Sequence, residues 1–195
     1  MLPKTKIYPV VAAMLTLLLS SCSQGPDMSS PAMYTNLGQG GVSVDPQEAL
    51  TILNAYRQKN GLSTLTLSDK LNAAAQEEAD AMAKAVKVSH ALTPDLTLIK
   101  RLERAGYQPV LATENIGAGY YSLAEAFSGW RDSSRHNENM LKPGMTQMGI
   151  ATQYRGDAKY KVFWSLILAK PDETPAQPTP AGMPPQTRPS ALFAQ

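Results

Sequence analysis

The sequence predicts an α+β domain in which helices pack against a mainly antiparallel sheet. Two observations carry that prediction. Up to about residue 130 the apolar residues recur at helical spacing behind capping signals. After Lys142-Pro143-Gly144 the period changes to that of strands, and grouped helices followed by grouped strands mark the α+β class.

The elements follow in order. Asp45-Pro46-Gln47-Glu48 is a capping box with proline at the first helical position. Ala49, Ile52, Leu53 and Tyr56 then form one stripe, which Asn60-Gly61 ends. A second helix starts at Ser68 and carries Leu71, Ala74, Ala75, Ala79, Met82 and Val86 on one face. Its alanines are small, so a neighbour must approach closely. Residues 95–105 read as a third amphipathic helix closed by Gly106. Ser122 and Glu125 form a second capping box, opening a helix that buries Leu123, Ala126, Phe127 and Trp130. A short strand is expected at Glu114–Ala118. Segments 148–154 and 160–168 flank Arg155-Gly156-Asp157 as a β-hairpin.

Composition sets the boundaries around this body. Lys4 and Lys6 precede the apolar run from Val10 to Leu19, the pattern of a secretory signal peptide and too short to span a bilayer. Residues 23–44 are rich in Ser, Gly and Pro and almost uncharged, which reads as a flexible tether. Residues 171–195 hold seven of the 15 prolines and too little apolar periodicity to pack. The expected organisation is therefore a signal peptide over 1–21, a tether over 22–44, a folded domain over 45–170 and a disordered tail over 171–195. The formal charge of +2 includes Lys4 and Lys6, and residues 1–21 contain no acid, so the mature chain is near neutral. That argues against a nucleic-acid binder. One cysteine in 195 residues excludes an intramolecular disulfide framework and a cysteine-cluster metal site.

That cysteine follows Leu19-Ser20-Ser21, and Leu19-Ser20-Ser21-Cys22 resembles the bacterial lipobox. The resemblance implies cleavage before Cys22 and acylation of its thiol and amine with fatty chains such as palmitate. More than one chain gives stable anchoring. Ser23 follows where an aspartate would signal retention at the inner membrane. The expected location is thus the bacterial cell envelope, with a lipid anchor in the outer membrane.

Several segments of the body carry a second resemblance. They are Leu53-Asn54-Ala55-Tyr56-Arg57, Val88-Ser89-His90, Glu114-Asn115-Ile116-Gly117-Ala118-Gly119, the run from Trp130 to Leu141, Met148-Gly149-Ile150-Ala151 and the closing strand with Trp164. In this order they resemble the CAP superfamily of cysteine-rich secretory, antigen 5 and pathogenesis-related proteins, in its bacterial branch, over roughly residues 48–169. The resemblance implies an α-β-α sandwich with a central cleft. In that family the cleft usually holds two histidines and two glutamates, which sometimes bind a divalent metal. His90 matches the first histidine and Glu114 the first glutamate. Ser133 stands where the second glutamate would be, and Gln147 where the second histidine would be. His136 matches a histidine of the bacterial Ser-x-x-His segment near the same cleft.

These departures leave a metal site of His90, Glu114 and His136 at best, short of the ligands that zinc prefers, so weak Zn binding is the most that is expected and no cofactor is required. His136 has a plainer alternative, as a cap at the end of the fourth helix. Ser133 and Ser134 beside His136 do not make a serine hydrolase, because no Gly-x-Ser-x-Gly elbow is present. Tyr120, in a loop after Gly119, is expected at the cleft mouth. The resulting cleft set is His90, Glu114, Ser133, His136, Gln147 and Tyr120. The functional expectation is a non-enzymatic module that binds a small hydrophobic ligand or an envelope protein. Two alternatives stand beside it: a metal-dependent hydrolase using His90, Glu114 and His136, and a structural envelope spacer.

Overall fold

Stability of the sheet rests on its two long central strands. In a computed structural model of the chain, which describes residues 31–173 and Leu192–Phe193, five strands take the order β1-β3-β4-β2-β5. These are β1 (Thr66–Leu67), β2 (Pro109–Ala118), β3 (Gln147–Tyr154), β4 (Val162–Pro171) and β5 (Leu192–Phe193). The pairs β3–β4 and β4–β2 are antiparallel, while β1 on β3 and β5 on β2 are parallel. The hairpin is therefore as expected, and β2 extends five residues further back than the strand expected at 114–118. All described residues belong to one compact unit.

Five α-helices cover the sheet: α1 (Pro46–Lys59), α2 (Asp69–Ala85), α3 (Leu98–Arg104), α4 (Leu123–Asp132) and α5 (Ser134–Met140). Three of the predicted caps form. Asp45, Ser68 and Ser122 each accept a backbone N–H of the following turn. Glu125 reaches back to the N–H of Tyr121 rather than to that of Ser122. The third helix is shorter than its periodicity suggests. Pro94–Leu96 forms a 3-10 turn, and α3 proper begins only at Leu98. The fourth helix ends at Asp132 and α5 starts afresh at Ser134, so His136 sits early in its own helix and does not cap α4.

The sheet separates two layers. Alternation along β2 sends Ala112, Glu114 and Ile116 toward α2 and α3, and Asn115 toward α5. On the α2 side, Leu71, Ala74, Ala75 and Leu102 pack on Ala112, Ala151, Ile167 and Ala169. The close approach expected from α2's alanines is made at Gly149, where an added Cβ would overlap the backbone of Leu71 and Asn72. Asn72 Oδ1 in turn accepts the N–H of Ile150, and Gln76 Nε2 lies 3.5 Å from the carbonyl of Thr152. On the other side, Leu53, Trp130, Met140, Met148, Trp164, Leu166 and Leu168 form the larger core with α1, α4 and α5.

Two stretches read as tether and tail behave differently where they are described. Residues 31–44 lie on the domain. Leu37 and Val44 are buried, Leu37 N–H donates to the carbonyl of Tyr121, and Val44 N–H donates to Thr152 Oγ1. Two apolar residues at the right spacing are enough to dock a Gly-rich stretch whose composition gives no periodic signal. At the far end, Leu192–Phe193 pairs with Leu111 and Ala112. This stretch is free of the prolines that cannot donate to a ladder. The expected signal peptide, Cys22 and most of the expected tail lie outside the described residues.

Candidate functional site

Glu114 lies in the middle of β2, opposite Ile167 of β4, with its side chain pointing into the α2–α3 layer and 3% exposed. Its carboxylate is fully engaged. Arg101 Nη2 donates to Oε1 at 2.8 Å and Oε2 at 3.0 Å, Ser165 Oγ donates to Oε1 at 3.0 Å, and His90 Nδ1 lies 3.0 Å from Oε2. A carboxylate offers about four lone-pair directions, and here four contacts use them.

His90 is held by the segment that follows α2. That helix stops at Val86, whose left-handed backbone (φ 51°) turns the chain back along the sheet. The imidazole is 40% exposed. Because an ionised carboxylate only accepts, the ring proton facing Glu114 belongs on Nδ1, which leaves Nε2 as the free nitrogen.

Arg101 is fully buried, at 0% exposure. Its guanidinium donates from Nε to the carbonyl of Leu96 and from Nη1 to that of Ala74, besides Nη2 to Glu114. Nε also lies 2.9 Å from Oε2 of Glu78, equally buried on α2. The Nε hydrogen is directed at Leu96, so the contact with Glu78 is one of charge, and neither Glu78 oxygen accepts a hydrogen bond. Burial pushes the Glu78 carboxyl up, Arg101 works against this and Glu114 adds to it, leaving it at about 7.

His136 stands on α5, beside β2, and is tied to it through its backbone. Its carbonyl accepts from Asn115 Nδ2 at 2.9 Å, and Asn139 Nδ2 donates to the carbonyl of Glu114 and to Asn115 Oδ1. Burial, then the charges of His90 and Arg135, lower its pKa below the usual histidine value.

The remaining expected residues stand elsewhere. Ser133 links α4 to α5, half-buried, without a side-chain capping bond. Gln147 opens β3, with β4 between it and β2. The ring of Tyr120 fits over Gly117 and Gly129 on the larger core, and its carbonyl accepts from Trp164 Nε1 at 2.9 Å. The structure thus pairs His90 with Glu114, leaves His136 on α5 within the electrostatic reach of His90 but in contact with neither, and adds three residues that sequence reasoning missed: Glu78, Arg101 and Ser165. A signal for two of them existed. Glu78 falls on the stripe of Leu71, Ala74, Ala75 and Met82, and Arg101 on that of Leu98, Leu102 and Ala105. A charge on an apolar stripe is a buried charge, and buried charges need partners.

The donor set does not fit a divalent cation. Among the described residues no three His, Cys, Asp or Glu side chains are placed to hold a metal ion. A metal at Glu114 would have to displace a guanidinium and a hydroxyl. Nor is there preformed room for a fatty ligand between α1 and α4. The void lined by Ala49, Leu53, Phe127, Trp130 and Leu166 measures about 10 Å³, at most the space of one water.

Comparisons with known proteins agree with this geometry. Residues 50–168 match the CAP family of cysteine-rich secretory proteins. An uncharacterised protein of Bacillus subtilis, YkwD, is 24% identical over 131 residues, covering 67% of this chain and 51% of that protein. The chain thus spans about half the length of this curated relative. A crystal structure of an extracellular protein containing an SCP domain from Bacillus anthracis aligns with a TM-score of 0.57 and 25% identity, over 64% of this chain and 40% of that one. An outer surface protein of Borrelia burgdorferi shares the fold, at a TM-score of 0.57 and 20% identity over 68% of this chain and 99% of that one. With a family match that runs from α1 through both strands of the hairpin, this chain belongs to the CAP family.

Proposed function

We propose that this CAP domain is a non-enzymatic binding module of the bacterial envelope, tethered by acylated Cys22 to the outer membrane, which meets an envelope protein through the exposed edge of the His90 cleft. The observation that carries the reading is the saturation of Glu114. A carboxylate whose lone pairs are occupied by Arg101, Ser165 and His90 cannot activate water or hold a metal. It can fix the His90 ring, presenting Nε2 to a polar group on the partner. Similarity to an extracellular SCP-domain protein and to an outer surface protein supports placement outside the cytoplasm. Among the described residues no helix is long and apolar enough to cross a membrane.

Two experiments test this. Purified wild type is assayed on protein and ester substrates with Zn²⁺, Mn²⁺ or Ca²⁺, and no turnover dependent on His90 is expected. Metal-dependent hydrolysis lost in His90→Ala would restore the hydrolase. Detergent-phase partitioning of wild type and Cys22→Ser tests the anchor, and equal partitioning of the two would remove it.

A further inference from the structure

We propose that the end of α2 and the turn of the β3–β4 hairpin form one basic, apolar-tipped surface that docks on an anionic lipid bilayer, independently of the His90 cleft and of the acyl anchor.

Charge is unevenly spread over the domain. Basic and acidic side chains balance in number between residues 31 and 173, yet segments 84–87 and 155–161 hold Lys84, Lys87, Arg155, Lys159 and Lys161 against Asp157 alone. The structure joins the two segments. Arg155 Nη1 donates to the carbonyls of Ala83 and Lys84 at 2.8 and 2.7 Å, and the Arg155 N–H donates to the carbonyl of Lys161 at 2.7 Å. Asp157 is taken up by Arg155, and Asp80, one turn before Lys84 on α2, accepts from Gln76. Lys84, Lys87, Lys159 and Lys161 remain, none of them in an ion pair among the described residues.

The same end also exposes apolar groups. Val86 is 44% exposed, Val88 43% and Tyr160 47%. Val86 closes α2 with a left-handed backbone (φ 51°), which glycine adopts freely and a β-branched residue does not. Glycine would serve the fold better there, and what valine adds is an aliphatic side chain held outside. The Tyr160 ring lies over Gly119, where an added Cβ would come within 2.9 Å of it, and Lys159 Nζ sits 5.2 Å from its centroid. Aliphatic and tyrosine side chains set among lysines match a bilayer surface: the apolar groups enter the headgroup boundary and the ammonium groups meet lipid phosphates. Residues 84–88 are exposed in succession at a helix end beside a hairpin turn, which suits a plane of headgroups better than an acidic peptide seated in a groove. Lysines, as flexible point charges, suit headgroups that exchange.

The experiment uses the chain from Ser23 onward, which lacks Cys22 and the apolar run before it, so that no anchor contributes. Co-sedimentation is measured with vesicles of phosphatidylcholine alone and of phosphatidylcholine mixed with phosphatidylglycerol, in about 50 mM and about 500 mM NaCl. The unsubstituted chain should bind only the mixed vesicles and be released by salt. Lys84→Glu/Lys87→Glu should weaken this binding roughly tenfold or more. Val86→Gly keeps every charge and removes the backbone strain, so it should melt no lower than the unsubstituted chain and still bind several-fold less tightly. Equal binding to both kinds of vesicle, binding indifferent to salt, or either variant binding as tightly as the unsubstituted chain would overturn the proposal. So would a chain that ignores the vesicles and binds poly-L-glutamate through the same lysines, which would assign the surface to an acidic protein.

Discussion

On the face of the sheet covered by α2 and α3, a buried guanidinium lies between two carboxylates. On the face covered by α1, α4 and α5, the equally buried Arg57 meets only carbonyl oxygens, those of Ser63, Met140 and Lys142. Arg57 ties the end of α1 to the loop after it and to the end of α5, and its Nη2 is left without a partner. Burial alone lowers its pKa. It is a clip for chain ends. Arg101 belongs to a series that runs from the interior at Glu78 through Glu114 to the partly exposed ring of His90. The difference teaches how to separate a structural buried charge from one attached to a site: the second kind is connected to the surface through other titratable groups.

That comparison breaks most readily on volume against charge. Leu166 and Glu114 come from neighbouring strands and point to opposite faces. Leu166→Ala should cost about 2–5 kcal/mol, since it empties the apolar core, while the volume-conserving Leu166→Met should cost less than about 1.5 kcal/mol. Glu114→Gln conserves volume too, yet it should cost about 3 kcal/mol because Arg101 loses half of its counter-charge. Chemical denaturation of the three variants checks this. A Glu114→Gln protein no less stable than Leu166→Met would erase the distinction between the faces.

Next in size is the effect of pH. Glu78 rises from an ordinary value of 4.5 to about 7 on folding. The folded state therefore holds the proton more tightly, so this contribution to stability is complete below about pH 4.5 and is lost as pH rises through about 7. Stability should fall by on the order of 1–3 kcal/mol across that window, and Glu78→Gln should flatten the profile. Denaturation midpoints at pH 4.5, 6 and 8 measure it. An unchanged slope in Glu78→Gln would assign the dependence to another group.

Smaller effects sharpen the contrast from the polar side of β2. Asn139→Ala removes donors to the carbonyl of Glu114 and to Asn115 Oδ1, and should cost about 1–2 kcal/mol. Its signature in amide exchange should be loosening of α5 around His136, with the α2 layer unaffected. His90→Ala, at a partly exposed ring, should change stability by less than about 1 kcal/mol while altering binding at the cleft.

Much of this architecture was legible because local chemistry and global fold agree. The caps at Asp45, Ser68 and Ser122 and the turn around Gly156 carry their signals within a few residues. His90 and Glu114 were legible through the family's ordered motifs. Arg101 was not, because between Lys100 and Arg104 a cation on an amphipathic helix looks like any solvated charge. Only its place on the stripe of Leu98 and Leu102 distinguishes it. Ser165 had no signal at all, since a serine in an apolar strand reveals its partner only when β4 is laid beside β2 in register. The docking of residues 31–44 was missed for a similar reason: Leu37 finds its place against Tyr121, 84 residues along the chain, by tertiary packing alone.

One further consequence follows from Asn72 and Gln76. Beyond the two residues covered by β1, strand β3 runs along the border of the sheet, where bare amides would invite a strand from another molecule. The N–H of Ile150 is already spent on Asn72, and the carbonyl of Thr152 faces Gln76, one turn along α2. Two amide side chains imitate the missing strand and close the border to strangers. Crowded copies should thus stay separate molecules instead of zipping together through their sheets.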